Sequence, residues 1–333
     1  MPAIEPNEMN THPEPLNPFS APANYIYTYT CTPDEESLCG MELRCLFERA
    51  ETPPTLFASP IAVGVSRSPF IKERIDVMYE ADTLEEIYRQ TEQVDVEGQT
   101  FKVICVRSSD LAAEDKIDYD GRRAIEREIG LRIEGEADVK RPQRIYGLAT
   151  IGGRWYFGVY HKNNATWLRQ MRKPQSYSIA LSTRVSRAAV NMAIPRPEGI
   201  KAIDPCCGIG TVLVEALSMG IDIVGRDINP LIARGARTNI AHFGFDAEVT
   251  LGDIADIEDH YDVAFLDMPY NLYSRITPEE QLSLLVHARR IASRVLIFAI
   301  EAVDEMISAA GFAIVDRCVA RKGSFSRHIM LCQ

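Results

Sequence analysis

Residues 201–217 read KAIDPCCGIGTVLVEAL. Four residues suited to a strand stop at Asp204, a proline and two glycines follow, and an apolar helical run begins at Thr211. Strand, glycine turn and helix, in that order, open the crevice of a doubly wound sheet, where ligands sit beyond the carboxyl ends of the strands. The chain keeps that alternation afterwards. IDIVGRD (221–227) reads as a strand, a helix starts at Pro230, and AEVTLGD (247–253) and DVAFLD (262–267) read as strands. A helix capped by Thr277-Pro278-Glu279-Glu280, the strand RVLIFAIE (294–301), a further helix and two terminal strands complete a largely parallel sheet.

The glycine turn narrows the ligand. Leu213 stands where a dinucleotide-binding turn would carry its third glycine, and Asp204 closes the strand where a bound pyrophosphate would be repelled. An acid facing the ligand suits a cofactor with a cationic amino group, such as S-adenosylmethionine. The next strand ends in Asp227, 23 residues on, which can accept both ribose hydroxyls. Asp253 ends the third strand, placed to accept from an adenine amino group, with Ile254 expected to pack on the ring. Three acids at three successive strand ends describe a nucleoside site.

The fourth strand ends in Asp267-Met268-Pro269-Tyr270. A planar exocyclic amine on a nucleobase gains nucleophilic character when its hydrogens are held by acceptors and its ring is held flat. Asp267 supplies one acceptor and the Met268 carbonyl a second. Pro269 stiffens the turn by fixing φ, and the Tyr270 ring offers a stacking face.

Outside this domain, NYIYTYT (24–30) reads as a strand, followed by a helix behind Thr32, Pro33 and Glu35. A second capped helix, TLEEIYRQT (83–91), and the strand TFKVICVR (100–107) complete a βαββαβ rhythm. A helix (119–133) and a hairpin around Gly152-Gly153 follow. The expected organisation is a disordered tail (1–23), a ferredoxin-like α+β module (24–100), a second α+β module (101–160), a basic linker (161–175) and the doubly wound α/β domain (176–333).

Composition sets limits. No run approaches the roughly 18 apolar residues of a membrane span, and the N-terminus has neither a basic start nor an apolar core. Eight cysteines without a C-x-x-C pair read as reduced structural thiols, with no metal site expected and a cytoplasmic setting. The net charge is −11, yet residues 139–197 hold 11 basic side chains and no acid. This asymmetry predicts a surface facing a polyanion. Arg169, Arg172 and Lys173 are the candidate RNA contacts.

At this point the residues carry a resemblance. DPCCGIGTVLVEAL and DMPY are similar to two motifs of amino-directed nucleic-acid methyltransferases. SYSIALSTRVSRAAVN (176–191) resembles the lead-in to the catalytic domain of THUMP-domain tRNA guanosine-10 N2-methyltransferases, particularly bacterial relatives. The resemblance covers roughly 24–333, most strongly 175–275. It implies a Rossmann-like class I methyltransferase domain behind ferredoxin-like and THUMP-like modules, S-adenosylmethionine as donor, tRNA as substrate and guanine N2 as acceptor. It assigns cofactor contacts to Asp204, Cys206, Gly208, Gly210, Thr211, Asp227, Ile228, Asp253 and Ile254, with Ser178 and Ala180 at the methionine end. Asp267 and Tyr270 become the catalytic pair, within a turn completed by Met268 and Pro269. The family's D-P-P-Y is here D-M-P-Y, so the turn loses some preset stiffness and a flexible Met268 side chain is expected beside the base. An adenine N6-methyltransferase would share this chemistry, and an RNA-binding protein without turnover would share the fold. No protein partner is evident.

Overall fold

The computed structural model describes residues 24–107, 116–176, 180–269, 276–323 and 325–333. Alternating aromatic and β-branched residues form β1 (Tyr25–Tyr29). The Glu35 carboxylate then accepts from the Thr32 N–H at 3.3 Å, opening a 3-10 turn that runs into α1 (Glu36–Phe47). β2 (Leu56–Ser59) and β3 (Ile71–Ala81) flank β1. Next, α2 (Leu84–Thr91) starts where the Thr83 hydroxyl accepts from the Glu86 N–H. After β4 (Phe101–Cys105) and α3 (Tyr119–Arg132) comes the hairpin of β5 (Arg144–Ile151) and β6 (Arg154–Lys162). Gly152 and Gly153 join its strands with φ of 57° and 80°, the left-handed pair that matches strand twist.

These strands form one six-stranded sheet, in the order β2-β1-β3-β6-β5-β4. Strand pairing crosses residue 100 without a break: β3 pairs with β6 from Glu73–Lys162 to Ala81–Trp155, and β4 lies parallel to β5. The basic stretch behind β6 contains a 3-10 helix, Thr166–Arg172. It leads to α4 (Thr183–Ala193), capped by the Ser182 hydroxyl.

The second sheet alternates as the sequence predicts. Its elements are β7 (Lys201–Asp204), α5 (Thr211–Ser218), β8 (Asp222–Asp227), α6 (Pro230–His242), β9 (Val249–Leu251) and β10 (Tyr261–Asp267). They continue as α7 (Pro278–Ile291), β11 (Ala292–Ala299), α8 (Asp304–Ala309), β12 (Ile314–Lys322) and β13 (Phe325–Cys332). The order is β12-β13-β11-β10-β7-β8-β9, with β13 antiparallel to both of its neighbours. β7 pairs with β8 on one side and β10 on the other, so the order reverses there and the carboxyl ends of all three strands meet. Because β13 runs backwards, its first residues lie at that same edge. No helix among the described residues is long and apolar enough to cross a membrane.

Both faces of this sheet are covered, as β10 shows by alternation. Val263 and Phe265 join one apolar cluster, while Ala264 and Leu266 join the other. The first cluster continues through Val190 and Met192 of α4 to Leu43 and Phe47 of α1. Thus α1 packs against α4 and β12, and Arg44 donates to both oxygens of Asp316 at 2.8 and 3.0 Å.

A polar network is sealed into this junction. Glu42 is fully buried, and its two oxygens accept from the Ser68 hydroxyl at 2.5 Å and the Asn191 amide at 2.6 Å. Arg187 of α4 donates to Glu215 of α5 at 2.8 Å, and also to the Ser218 hydroxyl and the Ser66 carbonyl. Burial pushes both carboxyls up to about 7, against the pull of those donors.

Candidate methyl-transfer site

The glycine turn is held by the backbone on either side of it. Cys207 N–H donates to the Arg226 carbonyl at 2.9 Å, and Gly210 N–H to the Cys207 carbonyl at 2.8 Å. Gly208 and Gly210 have φ of 56° and 77°, which glycine adopts without the Cβ clash. They serve different ends. A Cβ at Gly210 would lie 3.2 Å from that of Ala236, so Gly210 lets α5 close on α6. A Cβ at Gly208 would meet nothing within 4 Å, so Gly208 borders open space that a ligand can enter.

Four acids ring this turn. Asp204 is buried and accepts from the Cys206 N–H at 3.3 Å. Burial holds its carboxyl well above the usual range, and Asp267 and Asp227 push the same way. Asp227 is fixed by two backbone donors, Gly208 N–H at 2.9 Å and Asn229 N–H at 2.8 Å. Asp253, exposed, accepts from Ala255 N–H at 2.9 Å. Asp267 is half-buried beside Arg327, whose guanidinium lies 3.4 Å from Oδ2. Burial pushes Asp267 up to about 6, with Arg327 opposing. The Cys206 thiol is raised first by burial, then by Asp204, Asp227, Asp253 and Asp267, so all four fields converge at the turn.

Two apolar expectations are corrected. Ile254 is 3% exposed and packs into the second core cluster, so it presents no face to an adenine ring. Ile228, directly after Asp227, is 69% exposed at the same edge. Met268 is also buried, in that cluster with Ile203 and Leu285, and its N–H donates to the Phe298 carbonyl at 2.9 Å. Its side chain therefore points into the core rather than toward a base. The stiffness missing from the second position of the tetrapeptide is supplied by packing. Pro269 accepts from the Gln281 amide at 3.5 Å. Tyr270 and Ser178 lie outside the described residues, and Ala180, just past that gap, is half-buried.

The basic segment is corrected too. Acids from distant parts of the chain neutralise much of it: Arg144 pairs with Glu97, Arg154 with Glu80, Arg184 with Glu35, Arg187 with Glu215 and Arg196 with Glu48. Lys173 is half-buried, and its ammonium donates to the Thr211 hydroxyl at 3.2 Å beside the glycine turn. Burial lowers its pKa. It belongs with the turn, not with an RNA-facing surface. Arg169 and Arg172 are exposed on the 3-10 helix, as are Lys140, Arg141 and Lys162 nearby in sequence. Two residues of the site carry no local sequence signal. Asn239, fully buried in α6, accepts from Gln175 N–H and donates to the carbonyls of Gln175 and Ile209, clamping the linker to the turn. Arg327 comes from the far end of the chain.

A family model described as RMKL-like, methyltransferase domain, matches residues 169–296. The tRNA (guanine(10)-N2)-dimethyltransferase of Methanothermobacter thermautotrophicus is 29% identical over 177 residues, 49% of this chain and 51% of that protein. The enzyme of the same name from Pyrococcus abyssi is 36% identical over 91 residues, 27% of each chain. The chain thus spans about half the length, or less, of these curated relatives. Among solved structures, TrmN from Thermus thermophilus aligns over 93% of this chain and 99% of its own, at 17% identity and a TM-score of 0.46. The glycine turn, its ring of acids and the Asp267 turn all lie inside the segment, residues 169–296, that is similar to the RMKL-like methyltransferase domain.

Proposed function

We propose that the chain transfers a methyl group from S-adenosylmethionine to the exocyclic N2 of a guanosine in tRNA. The observation that carries this reading is the placement of Asp267. It is a half-buried carboxylate at the switch-point edge, next to a turn held by packing and beside a ring of acids suited to a cationic nucleoside. S-adenosylmethionine, when bound, would supply an electrophilic methyl carbon, its sulfonium keeping the electron pair of the broken carbon–sulfur bond and leaving as a neutral thioether. Asp204 would face its ammonium, Asp227 its ribose hydroxyls and Asp253 its adenine amine, with the exposed Ile228 against the ring. Gly208 leaves room for close approach, and Thr211 and Lys173 brace the turn. Asp267, ionised above about pH 6, accepts a hydrogen of the amine while the Met268 carbonyl accepts the other. As the nitrogen gains the methyl group, Asp267 takes up the proton it releases. Tyr270 keeps the stacking role that its sequence position suggests. The remaining catalysis is alignment of nitrogen, carbon and sulfur.

The six-stranded N-terminal half and the exposed Arg169 and Arg172 would hold the RNA by shape and phosphate while one base is extruded into the pocket. Incubation with labelled S-adenosylmethionine and unmodified tRNA, followed by nucleoside digestion, tests the proposal. N2-methylguanosine is expected. N6-methyladenosine would replace the acceptor, and cofactor binding without any product would remove the proposed substrate.

A further inference from the structure

Among the described residues at the acceptor end, Arg327 is accounted for by neither the tetrapeptide nor the ring of acids. It enters because β13 runs antiparallel between β11 and β12, which brings its first residues to the edge where β10 ends. The side chain is 6% exposed, and its guanidinium lies 5.7 Å from the Phe325 ring centroid. Phe325 is 41% exposed, an aromatic face at the mouth of the same edge. The approach to Asp267 is 3.4 Å, longer than the 2.7–2.9 Å usual for a charge-assisted bond. An acceptor and a donor thus stand side by side at this edge, the guanidinium side chain 6% exposed and the carboxylate 30%.

The Watson–Crick edge of guanine presents donors at N2 and N1 and then an acceptor at O6. Asp267 answers the two donors, and a planar guanidinium is well suited to the O6 acceptor. We propose that Arg327 reads O6 of the target guanine and sets the base preference of the site. The inference rests on the reading above, that guanine N2 is the methyl acceptor. Substrates without O6 leave a buried guanidinium facing an amine, which a site built for hydrogen bonding rejects strongly.

The test uses the full chain and a tRNA whose mapped target guanosine is replaced by 6-thioguanosine. That base keeps the N2 amine and the N1–H and carries a weakly accepting sulfur in place of O6. Wild type is expected to favour guanosine by about tenfold to a hundredfold in kcat/KM. In Arg327→Ala both rates fall, and the preference collapses to within about threefold. Arg327→Lys, which keeps a donor and charge, retains part of the preference and serves if the alanine variant does not fold. An equal rate on both RNAs in wild type, or an unchanged preference in a folded Arg327 variant that still binds S-adenosylmethionine, overturns the assignment. If guanosine RNA yields no N2-methylguanosine at all, the acceptor assignment fails instead, and the nucleoside digest of the wild-type reaction shows that separately.

Discussion

Two buried regions of this chain hold carboxyls pushed above their usual range, and they differ in what surrounds them. At the junction of α1 and α4, Glu42 has both oxygens bonded at 2.5 and 2.6 Å by donors of the chain itself. At the carboxyl edge of the second sheet, Asp204 accepts a backbone N–H at 3.3 Å and Asp267 faces a guanidinium at 3.4 Å. The direction of the shift is the same and so is its main cause, removal from water. Raised carboxyls alone therefore do not mark a site. Acceptor capacity left open among the described residues, at the edge where the strands end, does.

The sharpest way to break that contrast is to orphan a junction carboxyl. Arg187→Met leaves Glu215 buried without its guanidinium and should cost about 3–5 kcal/mol of stability in urea unfolding. Turnover per folded molecule should stay near wild type. If activity falls in the molecules that remain folded, the junction is part of the catalytic machinery and the contrast fails. Asp267→Asn should do the reverse, lowering the methyl-transfer rate about 10²- to 10³-fold while calorimetry finds cofactor affinity nearly unchanged. Wild-type rates should climb as pH rises through about 6, where Asp267 ionises, and level off above. A flat profile across that range would remove its carboxylate from the mechanism.

Asp204→Asn tests the cost of an open charge. Its folded carboxyl keeps a proton to higher pH than the unfolded one, so its linkage to stability is most favourable in acid and declines as pH rises above about 4. Removing the charge should raise stability at pH 8 and weaken S-adenosylmethionine binding. A variant less stable than wild type at that pH would show that Asp204 is structural. The smallest expected effect is outside both regions. Changing Arg169 and Arg172 together to Glu should weaken tRNA binding and flatten its salt dependence, by about one unit of slope for each phosphate no longer engaged. An unchanged slope would exclude the 3-10 helix from the interface.

What the sequence disclosed follows how local each signal is. The capped starts of α2 and α7 depend on residues three apart, and each appears where Thr83 and Thr277 place it. The strand-end acids were legible for a similar reason, because a strand followed by a glycine turn or an abrupt polar stop has a fixed exit point. Side-chain direction past a strand end was not: Met268 and Ile254 turn inward because the second core has room for them, which no spacing reveals. Charge was misread for the opposite reason. Arg184 and Glu35 are 149 positions apart, so a segment basic in sequence is partly neutralised in space. Arg327, 60 positions past Asp267, was hidden by the same kind of distance.

The seating of α1 also governs how this chain can be cut and recombined. Leu38, Met41, Leu43, Leu46 and Phe47 pack in one core with α4 and the second sheet, although they come first in the chain. Burying side chains of this kind contributes about 1.5–3 kcal/mol each, so a fragment beginning at residue 176 would forfeit their cover and expose an apolar patch prone to aggregation. A chimera that exchanges the N-terminal half for another must therefore supply an equivalent of α1 to the catalytic half. Because β1 precedes α1 and pairs with both β2 and β3, no single cut in the chain separates the two sheets cleanly.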